Sequence, residues 1–512
     1  MYYVLELTHL EYPAYPKKQV YSVQKAKLLY PANKAHQKSK CKNEKLLCTS
    51  SIIKNQNQKE VNMKFPLDEY IFDSGRLIFY PSSCDERTVG EIESAIQPND
   101  GQSALTSYVT GFDPDHMSTK CIFPYQGGIC LTYKCQLRCN YCSFRSQEEN
   151  ALTLTEEDIR AYARFLMKNI AIRKLVSGAK KELHLFFSGG GEPTYHPALF
   201  RKAVLALEDE CAKNDVVLKL DLTTNGMTTE KMIDFIADHF DSVMVSYDGM
   251  PALQNQNRRT AKNTDTAEKA ESTIRAFCGR KERISTTVRT TLWHPDIPRM
   301  KEIAAYIYDS FPDLEGWSVM PILATGRAGD SAGHEIFDSN QYDFVSEYFE
   351  TKEFIREKYN KTNISSPMLN NSCTGVFCGQ LEPSAGWLMP GGKVITCLES
   401  KEFSSVIADV RDGHVEQPKE YKSQLVKMYQ AKFQQCKGCI AYRFCKGGCP
   451  LKFLYKEESS ADAAEWECET KRNYWRYVFR RLLSDSTFLG WTLELDTQIT
   501  NVPVYHLHKE VV

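Results

Sequence analysis

The sequence lacks the features that mark a membrane protein, a nucleic-acid-binding protein or an exported protein. No run of about 18 apolar residues appears, so we expect no membrane span. Lys and Arg number 64 against 65 for Asp and Glu, so no overall basic field favours nucleic acid. The segment Met1–Thr8 lacks a basic stretch followed by an apolar core, so we expect a cytoplasmic protein without a signal peptide.

Cysteine, in contrast, is abundant, with 18 residues in a chain of 512. A chain of this length is not a small disulfide scaffold, and a reducing cytoplasm disfavours disulfides. Clustered cysteines in such a chain indicate metal binding or redox chemistry. Eleven of the 18 fall into a group of three near residue 140 and a group of eight between residues 373 and 468. Of the others, five are predicted to be packing residues: Cys84, Cys121, Cys130, Cys211 and Cys278.

The first group has the spacing C-x3-C-x2-C, formed by Cys135, Cys139 and Cys142. It follows the apolar run 128–133, so the cysteines are predicted on a loop that leaves a strand. Three thiolates can hold three corners of a cubane iron–sulfur cluster and leave one iron open. An open metal position is a place where a small molecule can bind and react. Zinc binding is the alternative for this spacing.

The central part of the chain alternates between strand-like and helix-like segments. This alternation predicts parallel strands joined by crossover helices, in an open (β/α)6 barrel with its function at the carboxyl ends of the strands. Thr155 begins a capping-box sequence ahead of a helix. The predicted strands are Ile129–Tyr133, Glu182–Ser188, Val216–Thr223, Ser242–Tyr247, Ile284–Leu292 and Trp317–Ile322, and two of the predicted helices are Thr155–Lys168 and Met300–Tyr308.

Polar and glycine-rich motifs follow the predicted strands. Phe187–Pro193 follows the second strand, and its consecutive glycines would let the backbone approach a ligand closely. Glu192 in this motif is a carboxylate that could accept an ammonium group. Thr223–Gly226 ends the third strand and Ser246–Gly249 ends the fourth. Each motif alone is typical of a turn, but their order behind the three-cysteine loop favours a common site.

With these motifs in place, residues 128 to about 330 resemble a radical S-adenosylmethionine (SAM) domain. The resemblance implies that Cys135, Cys139 and Cys142 hold a [4Fe-4S] cluster that binds SAM. It also implies SAM contacts by Tyr141, Gly190, Gly191, Glu192, Ser246 and Arg258. The His-Asp pair that often precedes this Arg in the family is replaced here by Gln254 and Asn255. Pro321–Arg327 resembles the end of the sixth strand in members that act on peptides.

The family resemblance also implies the chemistry. SAM bound to the open iron accepts an electron and yields a 5′-deoxyadenosyl radical, which removes a hydrogen atom from a substrate carbon. The cofactor performs the difficult step, while the protein positions the substrate and excludes solvent. A one-electron reductant such as a flavodoxin or a ferredoxin is the expected electron donor. The sequence does not single out a catalytic acid or base.

The second group of cysteines can supply two complete four-thiolate sites, with zinc as an alternative metal. Its spacing is similar to that of the SPASM extension of radical SAM enzymes, which carries two auxiliary [4Fe-4S] clusters. Carried over by position, the first auxiliary cluster would use Cys373, Cys378, Cys397 and Cys449. The second would use Cys436, Cys439, Cys445 and Cys468.

These patterns predict an α/β protein with five regions. An N-terminal α+β domain contains a hairpin, formed by residues 68–72 and 76–80, whose free strand edge could accept an extended peptide. A structural cap on the next domain is the alternative role for this region. The predicted regions are an N-terminal domain at 1–120, a radical SAM core at 121–330, a helical connector at 331–372, a SPASM domain at 373–470, and a C-terminal helix and tail at 471–512.

Three functions compete. Because SPASM members mostly modify peptides or proteins, the first is a maturase of a ribosomally made precursor peptide that forms cysteine thioether cross-links, with the leader bound by the N-terminal domain. The second is an anaerobic sulfatase-maturating enzyme that makes formylglycine; about 125 residues before the cysteine loop argue against it. The third is a non-catalytic iron–sulfur electron carrier, which would not need the Gly-Gly-Glu-Pro motif.

The three predicted clusters make the iron content of the protein a direct test. Anaerobic reconstitution with iron and sulfide is expected to load about 12 irons per chain, because each of three clusters holds about four. Iron, sulfide and zinc are measured together on the desalted protein. A content near four irons with zinc present would favour zinc at the second group of cysteines.

Overall fold

The computed structural model describes most of the central chain and short stretches at both ends. Two compact units are present: residues Met1–Val109, Phe479–Gly490 and Asn501–Val512 form the first, and Thr110–Val478 with Trp491–Thr500 form the second. The described residues are 3–9, 69–73, 76–80, 126–146, 152–177, 181–323, 326–328, 343–369, 385–398, 406–415, 445, 448, 466–474, 477 and 505–507.

The first unit contains a four-stranded antiparallel sheet. Its strands are β1 (Tyr3–His9), β2 (Glu69–Asp73), β3 (Arg76–Tyr80) and β15 (Tyr505–Leu507), in the order β15-β1-β3-β2. The pairing of β2 with β3, closed by Asp73 opposite Arg76, confirms the predicted hairpin. The sequence predicted the C-terminal tail as a separate region, whereas β15 pairs with β1. The sequence pattern of residues 85–96 also predicts a short amphipathic helix, and these residues lie outside the described ones.

The second unit is built on an eleven-stranded sheet in the order β10-β9-β8-β7-β6-β5-β4-β11-β12-β13-β14. From β10 to β11 all neighbouring strands are parallel, and from β11 to β14 they are antiparallel. The strands are β4 (Gln126–Ile129), β5 (Glu182–Phe187), β6 (Val217–Thr224), β7 (Ser242–Ser246), β8 (Ser285–Leu292), β9 (Gly316–Pro321), β10 (Ile364–Ser365), β11 (Ala385–Leu388), β12 (Lys393–Ile395), β13 (Val406–Asp409) and β14 (His414–Val415).

Helices join the parallel strands as the alternating pattern predicts. Five of the six predicted strands agree with β5 to β9 to within one residue at either end. The first prediction, Ile129–Tyr133, was wrong in position, because β4 lies upstream at the two glycines Gly127 and Gly128. The helices are α1 (Glu156–Ser177), α2 (Pro197–Lys213), α3 (Glu230–His239), α4 (Pro251–Asn257), α5 (Ala267–Cys278), α6 (Met300–Ser310) and α7 (Phe344–Tyr359).

The start of α1 shows the capping box that the sequence predicts. The Thr155 hydroxyl accepts from the Asp158 backbone N–H at 3.2 Å, and the Asp158 carboxylate accepts from the Thr155 N–H at 2.8 Å. The same carboxylate accepts two bonds from the guanidinium of Arg411, at 2.8 and 2.9 Å. Because Arg411 lies between β13 and β14, one carboxylate both caps the helix and ties it to the C-terminal strands.

The main core lies between the parallel strands and their helices. In β5, Leu183, Leu185 and Phe187 alternate with more exposed residues and are fully buried. Phe187 meets the ring of Phe200 from α2 edge-on at 5.4 Å, which is a favourable aromatic arrangement. Strand alternation therefore directs one face of the sheet toward the helices and leaves the other face for the interior of the barrel.

Strand β11 continues the sheet beyond β4, although the sequence predicted a domain boundary between the two. Residues 385–388 pair in parallel with 126–129. The approach is close, because a Cβ on Gly128 would lie 1.9 Å from the Trp387 ring. A Cβ on Gly127 would lie 1.9 Å from the backbone oxygen of Gly386. The C-terminal strands therefore belong to the same sheet as the barrel.

Two further sequence predictions concern residues that lie in the second unit. Cys130, Cys211 and Cys278, which were predicted to be packing residues, are buried. Among the described helices, none is long and apolar enough to cross a membrane.

The contact between β4 and β11 predicts a large difference between two Gly→Ala substitutions. Gly127→Ala places a methyl group against the Gly386 oxygen, so we expect a loss of about 1–3 kcal/mol in the free energy of unfolding. Gly279→Ala is the matched control, because a Cβ there would meet nothing nearer than 3.5 Å. Thermal unfolding of both variants measures the effect. Equal unfolding midpoints would contradict the close packing of β4 on β11.

Candidate active site

The three-cysteine loop lies beyond the end of β4 and is held by the segment that follows α4. The backbone N–H of Arg138 donates to the oxygen of Arg259 at 2.8 Å, and that of Asn140 donates to the oxygen of Asn257 at 3.0 Å. Leu137 and Thr260 form an isolated antiparallel bridge. The loop is therefore fixed to the end of the β7–α4 unit along its length.

The thiols of this loop lie in surroundings that disfavour negative charge. Burial raises the pKa of Cys135 to about 12, and the nearby carboxylate of Glu192 acts in the same direction. Burial also raises the pKa of Cys139, while the Arg258 guanidinium opposes the shift. Because a metal needs the deprotonated thiolate, cluster binding here must release protons.

Tyr141, Asp248 and Arg258 form a hydrogen-bonded group beside Cys139. The Tyr141 hydroxyl donates to the Asp248 carboxylate, whose oxygens lie 2.8 and 2.9 Å away. Arg258 donates to the same hydroxyl at 2.8 Å, and its guanidinium carbon lies 5.9 Å from the ring centroid. The phenol thus joins the cysteine loop to the end of β7 and to the end of α4.

Asp248 is the hydrogen-bond acceptor of this group, and the sequence did not single it out. It lies two residues after Ser246, and its backbone N–H donates to the side-chain oxygen of Gln254 at 3.0 Å. Burial raises the pKa of Asp248 to about 6, against the opposing effect of Arg258. Its place in the motif Ser246–Gly249, at the end of β7, was the only sequence feature that could have indicated a role for it. Gln254, which stands where the family has a different residue, thereby supports Asp248.

Glu192 is buried, and the contacts of its carboxylate are internal. One oxygen accepts from the backbone N–H and hydroxyl of Thr194 and from the Thr224 hydroxyl at 2.7 Å, and the other accepts from the Asn225 N–H at 2.8 Å. The Asn225 amide lies 3.6 Å from the Cys135 sulfur. The sequence predicted Glu192 as an acceptor for a ligand ammonium. In the structure it joins the ends of β5 and β6 and orients Asn225.

The glycines before Glu192 pack against the chain itself. Gly190 has a φ of 69°, and a Cβ on it would lie 2.1 Å from the sulfur of Cys130. A Cβ on Gly191 would lie 2.0 Å from the backbone oxygen of Lys134. Ser146 joins the two loops, since its hydroxyl donates to the Gly190 oxygen and lies 3.5 Å from the Cys142 sulfur. Glycine is thus needed here, because the glycine loop (residues 189–191) packs closely on the cysteine loop.

Ser246 lies at the carboxyl end of β7, in register with Arg289 of β8. It is half-buried and belongs to the same strand end as Asp248. The predicted SAM residues Tyr141, Glu192, Ser246 and Arg258 thus all lie on the cysteine loop or at the strand-end side of the barrel. Their contacts with SAM remain predictions.

Three of the eight predicted auxiliary ligands are described. Cys397 lies two residues after β12. Its neighbour Leu398 packs against Gly189, since a Cβ on Gly189 would lie 2.5 Å from the Leu398 side chain. Cys468 lies in the helical residues 466–474. Trp466 of this helix packs on His294, just after β8, with 4.6 Å between ring centroids. Cys445 is also described, and Cys373, Cys378, Cys436, Cys439 and Cys449 lie outside the described residues.

Residues 129–307 match the family model of the radical SAM superfamily. The chain carries a radical SAM domain. Two relatives from strains of Clostridium perfringens, both named cysteine-type anaerobic sulfatase-maturating enzyme, are 22% identical over 370 residues. The match covers 68% of this chain and 95% of each relative. The domain and these relatives indicate that the protein is an enzyme, against the alternative of an electron carrier.

Solved structures agree with the radical SAM fold. The structure of native anSMEcpe with bound AdoMet is 19% identical, covers 70% of this chain and 98% of its own, and superposes with a TM-score of 0.55. The same enzyme with AdoMet and the Cp18Cys peptide is 18% identical, with the same coverage and TM-score. At these identities the likeness shows the fold, which is the α/β architecture with a mostly parallel sheet that the sequence predicts.

A radical SAM domain implies SAM and a [4Fe-4S] cluster, and the described residues fit both. Among them no three ligand-type side chains converge closely enough to hold a single metal ion, whereas a cubane cluster spreads its thiolates over several irons. The Nε atom of Arg258 is buried without a hydrogen-bond partner in the described part of the chain. A buried donor of this kind fits an acceptor on a ligand.

The contacts of Glu192 predict an effect that precedes SAM binding. Glu192→Gln replaces an acceptor oxygen by an amino group that faces N–H and O–H donors, so we expect a loss of about 1–3 kcal/mol in unfolding free energy. Thermal unfolding of the iron-loaded protein without SAM measures it. Glu157→Gln, at an exposed ion pair of α1, is the control. If Glu192 acted only on the SAM ammonium, its variant would unfold like the control and lose SAM affinity alone.

Proposed function

We propose that the protein is a radical SAM enzyme that modifies a cysteine residue of a polypeptide. The observation that carries the proposal is the match to cysteine-type sulfatase-maturating enzymes over 95% of their length, together with the fold they share. The three-cysteine loop, the strand-end residues and the barrel are all present in one unit. They support an enzyme of the same general kind.

We assign the SAM-binding [4Fe-4S] cluster to Cys135, Cys139 and Cys142. When bound, SAM and this cluster supply the 5′-deoxyadenosyl radical that removes a hydrogen atom from the substrate carbon. A one-electron reductant such as a flavodoxin or a ferredoxin provides the electron. The remaining contributions are made by the side chains around the loop.

Tyr141 and Arg258 would hold SAM, and Asp248 holds the position of Tyr141. Asp248 accepts a hydrogen bond from the Tyr141 hydroxyl, which fixes the orientation of the phenol ring. The buried Nε of Arg258 would donate to an acceptor on SAM. Because Asp248 and Arg258 are buried, their charges act with little competition from water.

The auxiliary clusters are part of the proposal. Cys373, Cys378, Cys397 and Cys449 would hold the first, and Cys436, Cys439, Cys445 and Cys468 the second. Two observations support this placement near the barrel. Leu398, next to Cys397, packs on the glycine loop, and the helix of Cys468 packs on His294.

The first product that we propose is a thioether cross-link in a precursor peptide. Closing a sulfur–carbon bond removes two hydrogens from the peptide, one as an atom and one as a proton and an electron. The auxiliary clusters would supply an acceptor for that electron. About a third of this chain lies outside the match to the sulfatase-maturating relatives. Among the described strands of the first unit, β2 lies at one edge of the sheet, and that edge would bind the leader as an added strand.

Formylglycine formation is the second candidate, and the name of the relatives favours it. This reaction begins with removal of a hydrogen atom from the β-carbon of the cysteine, whereas the thioether reaction begins on the carbon that the sulfur joins. A further proton and electron then leave the cysteine, and an auxiliary cluster would accept the electron. The reaction differs in its outcome, because the sulfur leaves and an oxygen from water takes its place. The two candidates therefore share the site and differ in the product.

The product of a cysteine-containing peptide tests the proposal. The reconstituted enzyme is incubated with SAM, dithionite and the peptide, and the peptide mass and 5′-deoxyadenosine are measured. A loss of two hydrogens together with an unreactive thiol indicates the thioether. Loss of sulfur with a new aldehyde that reacts with a hydrazide indicates formylglycine. The same peptide with the cysteine replaced by Ala is the substrate control.

The enzyme control is the triple variant Cys135→Ala, Cys139→Ala, Cys142→Ala. We expect it to lose SAM cleavage while it keeps the iron of the auxiliary clusters. Undiminished 5′-deoxyadenosine production by this variant would overturn the cluster assignment. If the wild-type enzyme cleaves SAM but leaves the cysteine peptide unchanged at every position, the assignment of a cysteine substrate is wrong.

A further inference from the structure

A histidine–carboxylate pair joins three neighbouring strands of the barrel, apart from the cysteine loop. The Nε2 atom of His184 lies 2.5 Å from one oxygen of the Asp221 carboxylate, and the Ser242 hydroxyl donates to the other oxygen. These residues belong to β5, β6 and β7, in that order. Because both carboxylate oxygens are engaged, Asp221 is held in place and in turn fixes the imidazole.

The alternation of burial places this pair on the inner face of the barrel. His184 stands between two buried leucines of β5 that face the helices, and Asp221 stands between two buried leucines of β6. Since successive side chains of a strand point to opposite faces, His184 and Asp221 face the interior. Their side chains are 39% and 20% exposed, respectively. The interior of the barrel therefore contains an accessible imidazole.

The pair lies on the same face as residues of the candidate active site, nearer the start of the strands. Ser242 and Ser246 share the inner face of β7, and four strand residues separate them by about 13 Å. Phe186, two residues nearer the strand end than His184, is 37% exposed, and its ring centroid lies 4.6 Å from that of the imidazole. A substrate side chain between Ser246 and His184 would contact an apolar ring and then the imidazole.

The hydrogen bond to Asp221 determines which nitrogen of His184 can act on a substrate. An ionised carboxylate only accepts hydrogen bonds, so it holds the proton on Nε2 and leaves the lone pair on Nδ1. Within the part of the chain that the structure describes, Nδ1 makes no hydrogen bond. A histidine that a carboxylate orients in this way is suited to act as a general base.

Both candidate reactions require a proton acceptor. In each, the reacting carbon gives a hydrogen atom to the 5′-deoxyadenosyl radical. The cysteine thiol also loses its proton, and one electron passes to an iron–sulfur cluster. A sulfur–carbon bond forms as a result. It is a single bond to a second carbon in the thioether and a double bond within the cysteine on the way to formylglycine, where water then replaces the sulfur as hydrogen sulfide.

We propose that His184 is the catalytic base that accepts the thiol proton of the substrate cysteine, and that Asp221 is its positioning residue. The inference rests on the proposed function, in which a cysteine of a polypeptide is the substrate. The proton moves from the sulfur to Nδ1 and then to solvent, to which the side chain is partly exposed. Asp221 stabilises the imidazolium that forms in between.

Three variants separate catalysis from structure. His184→Ala removes the base and leaves space for added imidazole, and Asp221→Asn keeps the size of the carboxylate but not its charge. His239→Ala is the matched control. His239 also bonds a carboxylate, that of Glu208 at 2.6 Å, but this pair lies on the helices α2 and α3 outside the barrel.

A labelled substrate measures hydrogen-atom removal and product formation separately. It is a synthetic cysteine peptide with deuterium on its α and side-chain carbons, incubated with reconstituted enzyme, SAM and dithionite. Deuterium in the 5′-deoxyadenosine reports hydrogen-atom removal, and the peptide mass reports the product. The product formed per deuterium transferred is the quantity that a missing base lowers.

The expected results differ for each variant. His184→Ala keeps deuterium transfer but lowers the product formed per transferred deuterium by about 100-fold, the usual contribution of a general base. Added imidazole restores part of this loss. Asp221→Asn lowers the same ratio by a smaller factor and does not respond to imidazole. His239→Ala matches the wild type in both measurements.

The outcomes also separate this inference from the proposed function. A wild-type enzyme that leaves the cysteine peptide unchanged overturns the proposed function, and the inference with it. An active wild type whose His184→Ala variant keeps the same product ratio overturns only the role of His184. Parallel loss of deuterium transfer and product, without recovery in imidazole, also contradicts a base. If His184→Ala does not fold, Asp221→Asn decides: a lowered ratio supports the proposal, and a wild-type ratio contradicts it.

Discussion

The cost of negative charge in the cysteine loop is the constraint on which the site depends. Burial raises the pKa of Cys135 and Cys139, and Glu192 adds a carboxylate on the same side. A cluster held by three thiolates therefore needs compensating positive charge. The structure provides it from two sides, with Arg258 from the end of α4 and Arg327 from beyond β9. Both guanidinium groups are held by contacts to the cysteine loop itself, so charge compensation and loop geometry are coupled.

The parallel sheet brings these groups together. Each crossover returns the chain to the same side of the barrel, so that the ends of β5, β6, β7 and β9 all reach the loop after β4. Glu192 joins the ends of β5 and β6, and Asp248 joins the end of β7 to Tyr141. The site is thus not a preformed pocket of one loop. It is assembled from single contacts that successive strand ends make with one loop.

Local patterns predicted the elements well and the long-range contacts poorly. Strand-like runs that alternate with helix-like segments predicted β5 to β9, and two strand-like runs around a Gly-containing turn predicted the hairpin of β2 and β3. The first barrel strand was predicted at the wrong position, because Gly127 and Gly128 resemble a loop in sequence. Glycine is required at both positions because a side chain there would collide with Trp387 or the Gly386 oxygen, which lie far along the chain. The sequence placed Arg327 only in a segment that resembles the family. Its contact with the Ser146 backbone oxygen, some 180 residues earlier, could not be predicted from residue spacing. The cysteine spacing, by contrast, is a local pattern, so the sequence alone is enough to recognise the three-cysteine loop.

The pairing of β4 with β11 has a consequence for how the chain reaches its final form. The first strand of the barrel has β5 on one side, and its other neighbour comes from the C-terminal half. During synthesis, that edge of β4 stays open until Ala385–Leu388 has left the ribosome, and an open strand edge invites pairing with other chains. The cysteine loop begins directly after this strand. The strand that leads into this loop therefore gains its second neighbour only after the C-terminal half has been made.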